Sequence, residues 1–95
     1  ITEETRQQAC ARSVSQQQDL VLNQFIERSQ GGFILNPGAG FGPNQQAFGH
    51  NGAGGSSAFA DPESQVAFAY VMNQMQPDRT QPRAPNLAEV FFNCL

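Results

Sequence analysis

The stretch FGHNGAGGSSAFADPESQVAFAYVMNQM, Phe48 to Met75, decides the fold. Phe48-Gly49-His50 leads into Asn51-Gly52-Ala53-Gly54-Gly55-Ser56, a polar, glycine-rich turn between two apolar runs. Asp61-Pro62-Glu63-Ser64 supplies turn chemistry a second time, and Val66 to Met72 is uncharged and contains aromatic and β-branched residues. This alternation predicts antiparallel strands over Ala47–His50, Ser57–Ala60 and Val66–Asn73. The chain's one histidine, His50, then stands at a strand end beside backbone that glycine leaves open.

Working outward, Gly31-Gly32-Phe33-Ile34-Leu35 reads as a further strand entered from a turn and ended by Asn36-Pro37-Gly38. Gly38 to Pro43 has the glycine content of a phosphate loop but no lysine after it, so a glycine-rich connection is expected. Thr2-Glu3-Glu4 suits a helix start, and a helix over Glu3–Ala11 follows, with a thin apolar stripe at Ala9, Cys10 and Val14. Ser13–Gln18 is polar and low in complexity. Asp19–Leu22 is compatible with a short strand or with part of a longer irregular segment, and Asn23–Gln30 with a surface segment. Gln76–Pro85 holds three of the six prolines and is expected to be irregular. Asn86 then caps a terminal helix with Leu87, Val90, Phe91 and Cys94 on one stripe. The result is an α+β fold, an antiparallel sheet of about three strands with N- and C-terminal helices, in a single domain unit over residues 1–95.

With 95 residues, the chain supports one modest core. Its net charge of −3 gives no basic patch for nucleic acid or an anionic membrane. No apolar run approaches the roughly 20 residues of a spanning helix. Ile1–Cys10 has no apolar signal core. Cys10 and Cys94 lie at opposite ends and are expected to be free thiols, with a disulfide as the alternative, so compartment stays open. One histidine and two distant cysteines make no metal-ligand set, and no cofactor is expected.

From about Gly31 to Met75 the sequence resembles the third motif region of the penicillin-recognising serine hydrolases: class C β-lactamases, penicillin-binding DD-peptidases and esterase relatives. Members carry Lys-Thr-Gly, or His-x-Gly in esterase-like forms, on an inner strand, and His50-Asn51-Gly52 fits the second form. The resemblance implies a fragment of the β-lactamase/transpeptidase-like fold. By it, His50 is an active-site residue, Gly52 lets substrate approach the strand, Ala53 contributes a backbone N–H to the oxyanion site, and Asn51 contacts substrate or steadies the turn. Histidine is mostly neutral at pH 7, which favours uncharged esters over carboxylate-bearing β-lactams.

Two motifs of that superfamily are absent from these 95 residues. All five basic residues are arginine, so there is no Ser-x-x-Lys, and Tyr70, the one tyrosine, is followed by Val71-Met72 rather than x-Asn. With Ile1 opening the chain, the resemblance implies the C-terminal portion of a larger hydrolase, inactive alone, whose partners are the upstream polypeptide and a small ester or amide substrate. A non-catalytic binding or assembly module is the alternative. Ser56 and Ser57 read as turn and strand residues rather than nucleophiles, and Asp61 and Glu63 as turn formers. Self-association of the fragment is expected from a sheet cut off from its neighbours.

Overall fold

The computed structural model describes residues 1–14, 18–21, 23–75 and 82–95. Two hairpins form its centre. β6 (Phe48–Asn51), β7 (Ser57–Asp61) and β8 (Val66–Tyr70) pair antiparallel in sequence order. Gly49 stands opposite Phe59, which stands opposite Phe68, and His50 stands opposite Ala58, which stands opposite Ala69. Successive side chains of a strand point to opposite faces. Gly49, Phe59 and Phe68 therefore share one face, while Phe48, His50, Ala58 and Ala69 share the other.

The sheet extends on one side only, through β5 (Ile34–Leu35), β4 (Arg28–Ser29) and β1 (Arg12–Val14), to six strands in the order β1-β4-β5-β6-β7-β8. A second, two-stranded ladder joins β2 (Gln18–Asp19) to β3 (Gln24–Phe25). The expected strands at the centre are present, although β8 ends at Tyr70 rather than Asn73. Of the added strands, β5 is the end of the strand expected over Gly31–Leu35, while β4 and β1 are two or three residues long, too short for alternation to reveal. The strand considered over Asp19–Leu22 is corrected: Asp19 ends β2, Leu20 and Val21 form a turn, and Leu22 lies outside the described residues. Nor is Asn23–Gln30 simply surface. It contains β3 and β4, Ser29 is buried, and Ile26 packs against the core.

α1 (Glu3–Cys10) starts where Thr2 caps it, its Oγ1 accepting from the Thr5 N–H at 3.1 Å, with Glu3 and Glu4 at the favourable end of the helix dipole. The helix buries none of its residues and is tied down by backbone bonds from Gly31 N–H to the Ala9 carbonyl and from Gln30 N–H to the Ala11 carbonyl, each 2.8 Å.

α2 runs from Arg83 to Asn93, three residues earlier than the Asn86 start expected. The irregular stretch expected over Gln76–Pro85 thus gives way to helix at its end, and residues 76–81 lie outside the described residues. Pro85 fits because first-turn N–H groups have no partner within a helix, so the missing donor costs nothing there. The buried stripe is also corrected. Ala84 and Ala88 face the sheet with Phe91 and Phe92 half-buried beside them, whereas Leu87, Val90 and Cys94 are exposed. Small alanines let the helix approach closely enough for the two rings to reach the sheet.

Between sheet and helix lies the core of Ile34, Phe41, Ala47, Phe59 and Ala88. Phe41, wholly buried, stacks on Phe59 at 5.2 Å, and Phe59 stacks in turn on Phe68 at 5.2 Å and Phe92 at 6.2 Å. Each such pair contributes about 0.5–1.5 kcal/mol beyond burial. Phe41 comes from the glycine-rich connection, whose Gly38, Gly40 and Gly42 all take positive φ. Buried Asn36 holds that loop: its Nδ2 donates to the Gly42 and Asn44 carbonyls, both at 2.9 Å, and its Oδ1 accepts from Phe41 N–H at 3.4 Å. Asn44 passes the restraint on, donating to Asp61 Oδ2 at 2.6 Å and Ser64 Oγ at 2.7 Å. Asp61, also buried, accepts from the Glu63 and Ser64 N–H groups and so closes the β7–β8 turn. Asp61 and Glu63 are turn formers, as their place beside Pro62 predicts.

The opposite sheet face carries Phe33, packed edge-on against Phe48 at 5.1 Å, with Ala58, Ala60, Ala67 and Ala69 beside them. Among the described residues no helix lies over it, and no helix is long and apolar enough to cross a membrane.

Candidate active site

β6 delivers His50 to the open face at the end of the sheet, where the chain turns back toward β7. Two bonds close that turn: Gly52 N–H to the Ser56 carbonyl at 2.8 Å and Gly55 N–H to the Gly52 carbonyl at 3.1 Å. At position 52 a Cβ would overlap Ser56 Oγ. A side chain there is accommodated only if the Ser56 hydroxyl turns aside, since the remaining neighbours lie at ordinary contact distance. Ala53 sits exposed at the tip, and among the described residues its N–H has no hydrogen-bond partner. An exposed N–H without a partner is what an oxyanion donor needs.

His50 is exposed, and its Nδ1 lies 2.8 Å from the Asn51 carbonyl oxygen. A carbonyl can only accept, so Nδ1 carries the proton in this contact. In the neutral ring Nε2 is then an acceptor with a free lone pair. Of the two neutral tautomers, this contact selects the one whose exposed ring turns an acceptor nitrogen to solvent.

Asn51 follows the strand's alternation and turns away from His50. Its Nδ2 donates to the Ala39 carbonyl at 3.0 Å, in the glycine-rich loop. The structure therefore brings His50, Gly52 and Ala53 together at one turn and places the Asn51 amide on the other side of the strand. Ser57 is buried opposite Asn51, hence on the face away from His50, while Ser56 Oγ lies against Gly52.

Arg83 escaped the sequence reading. From the first turn of α2 it donates through Nη2 to the Gln74 carbonyl at 3.0 Å, and this nitrogen is 3.8 Å from where a Cβ on Gly55 would be. Nothing in the local sequence links positions 55 and 83; only the packing of α2 does. Among the described residues no group of three or more His, Cys, Asp or Glu side chains could hold a metal ion. Cys10 and Cys94 are free thiols.

Comparison with known proteins bears on the family and the fold. A family model described as Beta-lactamase matches residues 2–91. The chain is similar to a solved penicillin-binding protein homologue from Caulobacter crescentus, at 40% identity and a TM-score of 0.89, covering 100% of this chain and 26% of that one. A solved family VIII carboxylesterase is similar at 35% identity with a TM-score of 0.89, again over 100% of this chain and 26% of the other. Among curated proteins none matches. The chain thus spans about a quarter of the length of each solved relative. With the family match running almost end to end and the same fold in both relatives, the chain belongs to the beta-lactamase family of serine hydrolases.

Proposed function

We propose that residues 1–95 form the C-terminal part of a serine hydrolase that acts by acyl transfer on small, uncharged ester or amide substrates, with the nucleophilic serine in a segment outside this chain. One observation carries the reading: His50, with its proton held on Nδ1 by the Asn51 carbonyl, stands three residues from the unpaired N–H of Ala53. In the reaction the serine oxygen attacks the carbonyl carbon and its proton passes to a base in the upstream segment. The tetrahedral oxyanion takes a hydrogen bond from Ala53 N–H. Collapse expels the alcohol or amine, which leaves with that proton, and water or an acceptor alcohol then removes the acyl group.

Such a donor is worth about 2.7–4 kcal/mol of barrier. His50 contributes the Nε2 lone pair at the pocket wall, accepting from a hydroxyl or from water. That lone pair repels a carboxylate, which supports an uncharged ester rather than a carboxylate-bearing β-lactam as substrate. The similarity to a family VIII carboxylesterase supports the same choice. By itself the chain would self-associate through the open apolar face and the unpaired edge of β8, which is uncharged from Val66 to Tyr70. The test is stopped-flow hydrolysis of a chromogenic ester by the whole protein. An initial burst followed by slower turnover is expected. Absence of both burst and turnover would leave a non-catalytic binding module in its place.

A further inference from the structure

We infer that Asn51 is a positioning residue, holding the oxyanion donor in place through the Ala39 carbonyl rather than touching substrate; this rests on the acyl-transfer reading above. The donor itself is poorly held. Ala53 is exposed in a turn with Gly52, Gly54 and Gly55 around it; among the described residues two backbone bonds close that turn, and Met75 beside Gly54 and Met72 and Arg83 beside Gly55 pack on it without hydrogen-bonding to it. The direction of the Ala53 N–H is therefore inherited from the end of β6. There Asn51 makes, among the described residues, the one side-chain bond from the strand end to a rigid neighbour, 3.0 Å from Nδ2 to the Ala39 carbonyl.

That neighbour is firmly fixed. Ala39 sits between Asn36, which makes three hydrogen bonds within the loop, and Phe41, which is wholly buried. Pro85 of α2 packs against the same loop at Gly40. Restraint thus passes from the core through Phe41 and Ala39 to Asn51, and from there to residues 52 and 53. Strand alternation puts the Asn51 side chain opposite His50, so the amide that grips Ala39 is turned from the face that His50 presents.

A donor displaced from the oxyanion weakens the transition state and not the bound ester, so loss of the anchor lowers kcat and leaves KM unchanged. In the whole protein, Asn51→Asp keeps the side chain's size but removes the amide donor. It should lower kcat for a neutral chromogenic ester about 10- to 100-fold, a part of the 100- to 1,000-fold lost when a donor is deleted outright. Gly40→Ala disturbs the loop without touching β6, because φ there is +81° and Pro85 Cγ lies 3.0 Å from the new Cβ. It should give the same signature, at smaller size, even if Asn51→Asp folds poorly. Amide hydrogen exchange supplies a readout free of activity: in Asn51→Asp, segments 37–42 and 52–56 should both exchange faster. A raised KM with unchanged kcat would make Asn51 a substrate contact and overturn the inference. Unaltered exchange in segment 37–42 would overturn it too. A whole protein with no esterase activity would overturn the acyl-transfer reading alone, and the exchange data would still decide whether Asn51 couples the loop to the turn.

Discussion

The ring of Phe92 occupies the volume that a Cβ on residue 42 would fill, so the ring keeps its place against Phe59 only beside a glycine at position 42. Gly42 also takes φ +82°, a conformation that costs any L side chain. The two penalties add at one position. Gly42→Ala should destabilise the fold by about 2–4 kcal/mol, combining backbone strain with overpacking. Gly38→Ala is the control: φ is +95° but nothing lies within 4 Å, so only the strain remains, about 1–2 kcal/mol. Denaturant melts of the two variants check the difference, and equal losses would show that the Phe92 contact does not matter.

Substituting His50 separates charge from position. In the whole protein, His50→Ala should lower kcat/KM on neutral esters roughly ten- to a hundredfold while leaving the fold intact, since the side chain is exposed and its one hydrogen bond is to the neighbouring carbonyl. His50→Lys should shift selectivity toward carboxylate-bearing substrates by about tenfold, equivalent to about 1.4 kcal/mol. Relative kcat/KM across a matched neutral and anionic ester pair measures this. An unchanged ratio would remove the electrostatic basis for the neutral-ester reading.

Cys10 and Cys94 should differ in reactivity. Burial pushes the Cys10 thiol up, against the opposing pull of Arg6, so less of it is thiolate at any pH near neutrality. Cys94 is exposed. Iodoacetamide at pH 7.5 should therefore modify Cys94 first, with the Cys10 rate still rising as pH passes the ordinary thiol range. Peptide mapping over a pH series reads both sites; faster alkylation of Cys10 at pH 7.5 would contradict its burial.

The centre of the fold was legible because β7 and β8 alternate in burial and the turns beside them carry residues with a mechanical reason to be there. Asp61 is an example: its carboxylate accepts the two N–H groups that the turn leaves over. Phe41 was not legible. An aromatic inside a glycine-rich loop carries no period, and its wholly buried place follows only from three positive-φ glycines folding the loop under α2. For α2 itself, Leu87 and Val90 formed as good a helical stripe as Ala84 and Ala88, and hydrophobicity chose the wrong one. The limited space above the sheet favours the alanines. At the site, the resemblance pointed to His50, Gly52 and Ala53, but the Asn51–Ala39 bond joins residues whose pairing no local pattern encodes.

Residues 1–95 alone should not remain a monomer. Among the described residues β8 is an unpaired edge without charge, and the face bearing Phe33, Phe48 and four alanines lies open. Covering a few hundred Å² of it returns several kcal/mol at about 25 cal/mol per Å², before association entropy is subtracted. Sedimentation at micromolar concentrations should show a dimer or larger assembly. A monomer with a cooperative melt would mean that edge and face tolerate water.

Fluorophosphonate labelling followed by peptide mapping tests the central claim most directly, applied side by side to the whole protein and to residues 1–95. The account predicts a covalent adduct on one serine outside residues 1–95 in the whole protein, and none on the isolated chain, whose Ser57 is buried away from His50 and which contains no lysine to serve as base. An adduct on Ser56 or Ser57 would put the nucleophile within this chain and contradict the account, and a whole protein that takes no label would contradict the acyl-transfer mechanism itself.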